Sequence, residues 1–222
     1  MQKHPDATVR QQAGDWVELM TPIVKAYFTD LGIESANIGV QVYGGHGYIR
    51  EHGMEQYIRD ARITQLYEGT NGIQALDLVG RKMGQHAGRF LRAFFHPTAA
   101  FLEEHKGDAA LADFVKPLAK AFGRLQEATT FVAQNGMRDP EEAGAAATEY
   151  LRLFALTAVG YMWARMAVVA AGKVEGDESG FYRTKLATGR FYMTRILPQT
   201  TALFESIKAG AAPLMALEAE AF

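Results

Sequence analysis

At 222 residues the chain has room for one large or two small domains, and its 48% of apolar residues is ample for a buried core. A formal net charge of −2 with a pI near 6.3 offers no basic footprint for nucleic acid or an anionic membrane. With no cysteine, disulfides and thiolate metal sites are excluded, and the polar stretch Met1 to Trp16 has no apolar secretory core, which points to a cytoplasmic protein.

Residues 1–12 read as a loose lead-in. Ala13, Trp16, Val17, Met20, Val24, Tyr27, Phe28 and Leu31 then trace a helical stripe. Pro22 interrupts it, Thr21 offers a cap for a new helix with Pro22 at its first position, and Gly32 is a stop by local rules. Two glycine-marked turns follow, Tyr43-Gly44-Gly45-His46-Gly47-Tyr48 and Tyr67-Glu68-Gly69-Thr70-Asn71-Gly72. In the first, Gly44, Gly45 and Gly47 permit positive φ and close backbone approach. No strand pattern precedes them, so this is not a dinucleotide fingerprint, and no Gly-Lys-Ser/Thr follows, so it is not a phosphate-binding P-loop. Taken alone it is a helix–helix turn. Between the turns, Met54, Tyr57, Ile58 and Ala61 mark the apolar face of a short helix, with Arg59, Asp60 and Arg62 as ion-pair partners on its other side.

After the second turn, Ile73, Leu76, Val79 and Met83 share a helix face. Asn71 with Gln74 reads as an N-cap and its capping-box partner, and Thr70 is a rival cap. Glu68 thus sits just before a helix N-terminus. The helix dipole favours its ionised form and burial opposes it, a balance that suits a general base; the other reading is a carboxylate that only caps its helix.

From Gln85 onward the period stays helical. Phe90, Leu91, Phe94 and Phe95 cluster before His96-Pro97, where a break or kink is expected. Asp108 caps a helix with Leu111, Phe114, Val115, Leu118, Phe122, Leu125 and Val132 as its core stripe, ended by Asn135-Gly136. Asp139-Pro140-Glu141-Glu142 is a helix start with cap, proline and first-turn acids. The run Leu153 to Ala171 approaches membrane-span length, but Arg165 lies inside it and Arg152 borders it, so it reads as the central helix of a bundle. Lys173 to Gly180 is a polar loop, and Phe181 to Ala209 a last long helix carrying Pro198. Nothing alternates with period two. The fold class is all-α, a helical bundle.

The remaining candidate sites are weak. His46 and His52 have no third ligand in register, so no metal site is expected. Glu103/Glu104 and Glu141/Glu142 are adjacent and point apart on a helix. Ser35, Ser179 and Ser206 lack a nucleophile-elbow context.

The pair QVYGGHGY and RDARITQLYEGTNGIQ, in this order and at this gap, resembles the C-terminal helical domain of the acyl-CoA dehydrogenase family. The resemblance runs from about Val24 to Met83. It divides the chain into a partial catalytic helical domain, 1–84, and a helical extension, 85–222, of the kind carried by some longer bacterial members. It also implies one helix running through Gly32 to Gln41, since packing can override one glycine at a cost of about 1 kcal/mol. In such enzymes FAD oxidises an acyl-CoA thioester to the trans-2-enoyl-CoA: a glutamate removes the α-proton and the β-hydrogen leaves as hydride.

Carried over, Glu68 is that base, with its own backbone N–H and the flavin ribityl chain polarising the thioester carbonyl. Gln41, Val42, Tyr43, Gly44 and Gly45 match the segment touching FAD held by a neighbouring subunit. Thr70 matches a flavin contact and Gly69 a substrate contact, whereas Gly72 stands where many members carry a second flavin-contacting glutamine. The implied partners are acyl-CoA, an electron-transferring flavoprotein or similar acceptor, and further copies of the chain in a dimer or tetramer. The family's N-terminal helical domain and middle β-barrel have no counterpart in this sequence. The expectation is therefore a fragment of a longer dehydrogenase, its rival a non-catalytic helical binding or oligomerisation module. The helix from about Thr21 to Gln41 is apolar on several sides, including Val24, Phe28, Leu31, Ile38 and Val42, so an exposed apolar patch and self-association are expected.

Overall fold

The computed structural model describes residues 3–221, and among them there are helices and no strand. Helix α1, Ala7–Tyr43, begins where Asp6 accepts a hydrogen bond from the Thr8 N–H at 2.7 Å, inside the stretch expected to be loose. It is one unbroken helix of 37 residues, about 55 Å long. Neither Pro22 nor Gly32 breaks it. Pro22 is buried inside the helix, and the Thr21 hydroxyl donates to the Val17 carbonyl at 2.6 Å. That hydroxyl adds a second donor to a carbonyl of the preceding turn, whereas the carbonyl that loses its amide donor to the proline is that of Glu18.

The core side of α1 is Leu19, Ile23, Ala26 and Tyr27. Tyr27 belongs to the predicted stripe, but Val17, Val24, Phe28 and Leu31 face outward. The expected apolar patch is therefore present. It continues along the helix, with Phe28 54% exposed and Val42 78% exposed.

Short helices follow: α2, Gly45–Tyr48, and α3, Met54–Ile63, both packed on α1. No α3 residue is fully buried. The ion pairs expected of its polar side do not form. Asp60 accepts from Gln56 and Arg62 donates to Gln65, and Arg59 has no carboxylate partner among the described residues. Helix α4, Asn71–Asp77, widens into a π turn at Leu78–Lys82. Its core side is Ala75, Leu78 and Met83, while Ile73 and Leu76 are exposed. Only Met83 and the half-buried Val79 of the predicted face turn inward.

The chain then turns through His86 and Ala87 at φ 52° and 54° into α5, Arg89–Glu104. Two ion pairs tie this junction to α1: Asp15 takes a bidentate bond from Arg89 at 2.8 and 3.0 Å, and Lys82, buried, pairs with Glu18. Pro97 does not break α5; the neighbouring Thr98 hydroxyl donates to the Phe94 carbonyl at 2.8 Å.

Asp108 does cap the next turn, accepting from Ala110 N–H at 2.9 Å, and after one 3-10 turn α6 runs Ala112–Gly136. All seven residues of its predicted stripe, Leu111 included, are buried. Helix α7, Pro140–Ala171, starts as expected at the Asp139 cap. It is long and apolar enough to cross a bilayer by length and composition, yet its apolar sides are occupied by α6, α8, α9, α4 and α1. It is the axis of the bundle. Phe94 of α5 reaches it, with ring centroids 4.9 Å from Phe154 and 5.9 Å from Tyr161.

The expected last long helix is divided. Helix α8, Phe181–Phe191, widens into a π turn at Tyr192–Ile196, tightens at Leu197–Gln199 around Pro198, and resumes as α9, Thr200–Lys208. The wide turn places Tyr192 and Met193 in the core. Asp177 in the preceding loop accepts from Ser179 Oγ at 2.7 Å and from Tyr182 N–H at 2.7 Å. These bonds, the hydroxyl foremost, hold its carboxyl below the usual carboxylate range.

Candidate functional site

Helix α3 ends at Ile63, and the chain crosses to α4 through Thr64–Thr70. Two residues fasten this crossing to the middle of α1. Asn71 Nδ2 donates to the Ala26 carbonyl at 3.1 Å and to Asp30 Oδ1 at 2.7 Å, and Gln65 Nε2 reaches the same Asp30 oxygen at 2.6 Å. From α1, Lys25 Nζ donates to the Gly69 carbonyl at 2.6 Å and to Asn71 Oδ1 at 3.0 Å.

The expected capping box is absent. Thr70 holds the N-cap position without a side-chain cap bond, Asn71 points into α1, and Gln74 Nε2 donates to the Glu68 carbonyl at 3.1 Å. Sequence reasoning gave Asn71 the wrong partner and missed Lys25, Asp30 and Gln65. Their only signal is a polar break in the apolar pattern of α1, and nothing in local spacing pairs it with a turn more than forty residues on.

This anchoring holds Glu68 in a conformation it would not choose. Its φ is 53° and that of Gly69 is 83°, so two consecutive residues are left-handed. For a residue with a Cβ this costs about 1–3 kcal/mol, and such strain clusters at functional sites. The Glu68 side chain is exposed and has no hydrogen-bond or ion-pair partner among the described residues. The backbone N–H groups of Glu68, Gly69 and Thr70 likewise find no protein acceptor there. The turn thus presents a free carboxylate beside three free donors.

The first glycine turn lies elsewhere. Gly44, at φ 61° and ψ −141°, ends α1 in a region open to glycine, and its N–H bonds the Gln41 carbonyl at 3.1 Å. Of the three glycines that permit positive φ, Gly44 adopts it. Gly47 serves close approach of the chain to itself: a Cβ there would lie 2.5 Å from the Val40 carbonyl oxygen. Gly45 faces open space, and Val42 and Tyr43 are exposed beside it.

The structure does not bring the two turns together. One is fastened at Lys25–Asp30 and the other at the end of the same helix, a separation of about 24 Å along its axis. His46 and His52 are neighbours, with ring centroids 5.2 Å apart, and no cluster of three metal-ligating residues occurs among the described residues.

A long helix carrying two outward glycine turns, closed onto an all-α bundle, defines the class. Residues 6–83 match the family described as "Acyl-CoA dehydrogenase, C-terminal domain", and residues 94–218 match "Acetyl-CoA dehydrogenase C-terminal like". The chain belongs to the acyl-CoA dehydrogenase family. It is 34% identical, over 90% of its length, to a 3-methylmercaptopropionyl-CoA dehydrogenase of Ruegeria pomeroyi, and covers 34% of that protein. It is 30% identical, over 92% of its length, to the broad-specificity linear acyl-CoA dehydrogenase FadE5 of Mycobacterium tuberculosis, covering 35% of it. Among solved structures, ACDH-11 of Caenorhabditis elegans, crystallised with C11-CoA, superposes with a TM-score of 0.71 at 19% identity, over 92% of this chain and 32% of that one. The likeness to ACDH-11 is one of fold. The chain spans about a third of the length of the curated relatives it matches.

Proposed function

We propose that this chain is the C-terminal part of a flavin-dependent acyl-CoA dehydrogenase, with residues 1–84 bearing catalytic groups and 85–222 a helical extension, and that Glu68 is its catalytic base. The observation that carries this reading is the Tyr67–Asn71 turn: an exposed carboxylate in strained left-handed backbone, flanked by three unpaired N–H groups. The Glu68 carboxylate takes the proton from the carbon α to the thioester. The charge developing on the carbonyl oxygen is met by the Glu68 N–H, a fixed donor that needs no reorganisation. Gly69 is assigned to a substrate contact through its backbone, its left-handed φ of 83° and the Gln74 side chain packed over its Cα leaving no room for a Cβ. Lys25 and Asn71, which hold the turn on α1, are positioning residues.

The residues present fit a flavin as an outer wall. Val42 and Tyr43 are exposed, Gly44 and Gly45 leave open space, and Thr70 sits at the exposed start of α4. Gln41–Gly45 would hold one FAD and Thr70 another, and the cofactor when bound supplies the acceptor for the β-hydrogen. Because the two turns are about 24 Å apart along α1, Gln41–Gly45 and Glu68 serve two different active sites in an oligomer of this chain. The exposed face of α1 at Val24, Phe28 and Leu31 supports such self-association, in a dimer or tetramer. Electrons then leave to an electron-transferring flavoprotein or similar acceptor, and a cytoplasmic location accompanies this reading.

The test is Glu68→Gln in the flavin-loaded full-length protein. Bleaching of the flavin absorbance by acyl-CoA, followed by stopped flow, should slow by about 10²–10⁴ while FAD stays bound. Bleaching at the wild-type rate would overturn the assignment.

A further inference from the structure

Helices α6 and α9, with the turn that precedes α9, enclose a groove of about 310 Å³. Lys116, Lys120 and Arg124 line one wall, at successive four-residue steps and so about 6 Å apart along one face of α6. Thr200 and Thr201 stand on the other wall, and Met193 and Leu197 contribute to the apolar part of the lining.

The acids that would neutralise this row are already used. Asp113, one turn before Lys116, pairs with Arg190 at 3.0 Å, and Glu127, one turn after Arg124, pairs with Lys208 at 3.1 Å. These two pairs clip α6 to α8 and α9 at either end of the groove. Between them, Lys116, Lys120 and Arg124 pair with no carboxylate among the described residues. Arg124 is half-buried and directed by Thr200, whose Oγ1 lies 3.5 Å from its Nη1 while donating to the Leu197 carbonyl at 2.7 Å. In a chain with a formal net charge of −2, three unpaired cations in one concave groove form a local exception.

Lysines on a convex helix face are ordinarily just solvated. Here the cations line a concavity whose opposite wall offers the exposed Thr201 hydroxyl, that of Thr200 being buried and spent on the Leu197 carbonyl, and an oxyanion with several acceptor oxygens matches a row of three donors. We infer that the α6–α9 groove is a binding site for a diphosphate group. The carrier is a soluble phosphorylated small molecule rather than a lipid surface, because the cations line a concavity and a bilayer would need a flat face. This inference does not rest on the role assigned to Glu68, which lies in the turn held on α1.

Inorganic pyrophosphate titrated into the full chain by calorimetry is the probe. Saturable one-to-one binding is expected, weakened about tenfold or more by Lys120→Gln, a substitution at an exposed position. Lys106→Gln, which removes an exposed lysine at the end of α5, should leave it unchanged. Sedimentation with phosphatidate–phosphatidylcholine vesicles forms the second arm, and the wild-type chain should remain in the supernatant. The inference is overturned if pyrophosphate gives no saturable heat, if Lys106→Gln weakens binding as much as Lys120→Gln, or if the chain sediments with the vesicles.

Discussion

Residues 45–77 and residues 112–171 both carry many large apolar side chains and treat them in opposite ways. In the later stretch, Phe114, Leu118, Leu125, Leu153 and Phe154 are wholly buried between α6 and α7. In the earlier one, Tyr48, Tyr57, Ile63, Leu66, Tyr67, Ile73 and Leu76 are all exposed. The later stretch is the more apolar of the two, but what decides the burial of their large side chains is what each region packs against. Helices α6 and α7 satisfy one another, gather α8 and α9 around them and receive the Phe94 and Phe95 rings of α5, whereas α2 and α3 have α1 as their main neighbour. The stretch carrying Glu68 thus leaves a large apolar surface exposed, whereas the bundle buries its own.

The sharpest way to break this contrast is to delete one side chain from each region. Phe94 is fully buried, with the rings of Trp16, Phe122, Phe154 and Tyr161 around it. Phe94→Ala should cost about 3–5 kcal/mol in urea unfolding of the full chain. Ile63→Ala, in exposed α3, should change stability by less than about 0.5 kcal/mol. Comparable costs would mean that α3 is packed as tightly as the bundle, and the comparison would fail.

Alkaline pH separates the regions next. Burial pushes the Tyr150 phenol up strongly, against a smaller opposing effect of its hydrogen bond with Thr129, and burial likewise raises Tyr192, with Tyr27 adding to it. Tyr27 is itself raised, again chiefly by burial. The folded chain therefore keeps these protons above the ordinary phenol value of about 10, while the unfolded chain releases them. A raised pKa gives stability that is complete below the unfolded value and is lost as pH climbs past it, by about 1.4 kcal/mol per pH unit per phenol. Urea midpoints should hold to about pH 10 and then fall, and Tyr150→Phe, which keeps the ring, should make the fall shallower. An unchanged slope in that variant would remove Tyr150 from the account.

The legibility of the sequence follows the same divide. The α6 stripe and the Asp108 and Asp139 starts read correctly because each burial pattern and each cap is set within a few residues of itself. The family resemblance corrected Gly32, where a local stop signal is outweighed by the packing of a long helix. Local rules failed at Pro22 and Pro97, where the helix continues through each proline despite the lost amide donor, because packing of the long helices outweighs one missing bond. They failed again at Tyr192–Ile196, where the chain widens into a π turn before Pro198. At the candidate site the turn itself was legible, but its fastening through Lys25, Asp30 and Asn71 was not, since those bonds join residues more than forty apart. The apolar face of α4 was assigned to Ile73 and Leu76 because spacing fixes that a face exists and not which neighbour will cover it.

The smallest effects belong to the strained turn and should have opposite signs at adjacent positions. Gly69→Ala places a Cβ at φ 83° and 2.6 Å from Gln74 Nε2, so the glutamine must leave the Glu68 carbonyl and the backbone strain remains; about 1–2 kcal/mol of stability should be lost. Glu68→Gly acts the other way. At φ 53° the wild-type residue has a Cβ in conflict with its own backbone, and its exposed carboxylate has no hydrogen-bond or ion-pair partner among the described residues to offset this. Glycine relieves the conflict, partly offset by the greater freedom it gives the unfolded chain, so the net gain should be about 0.5–1 kcal/mol. Thermal melting of the full chain should therefore rise slightly for Glu68→Gly and fall for Gly69→Ala. A carboxylate kept where its removal stabilises the fold is held there for a use other than stability. A lower melting temperature for Glu68→Gly would show instead that the side chain supports the turn, and would return Glu68 to the role of a structural residue.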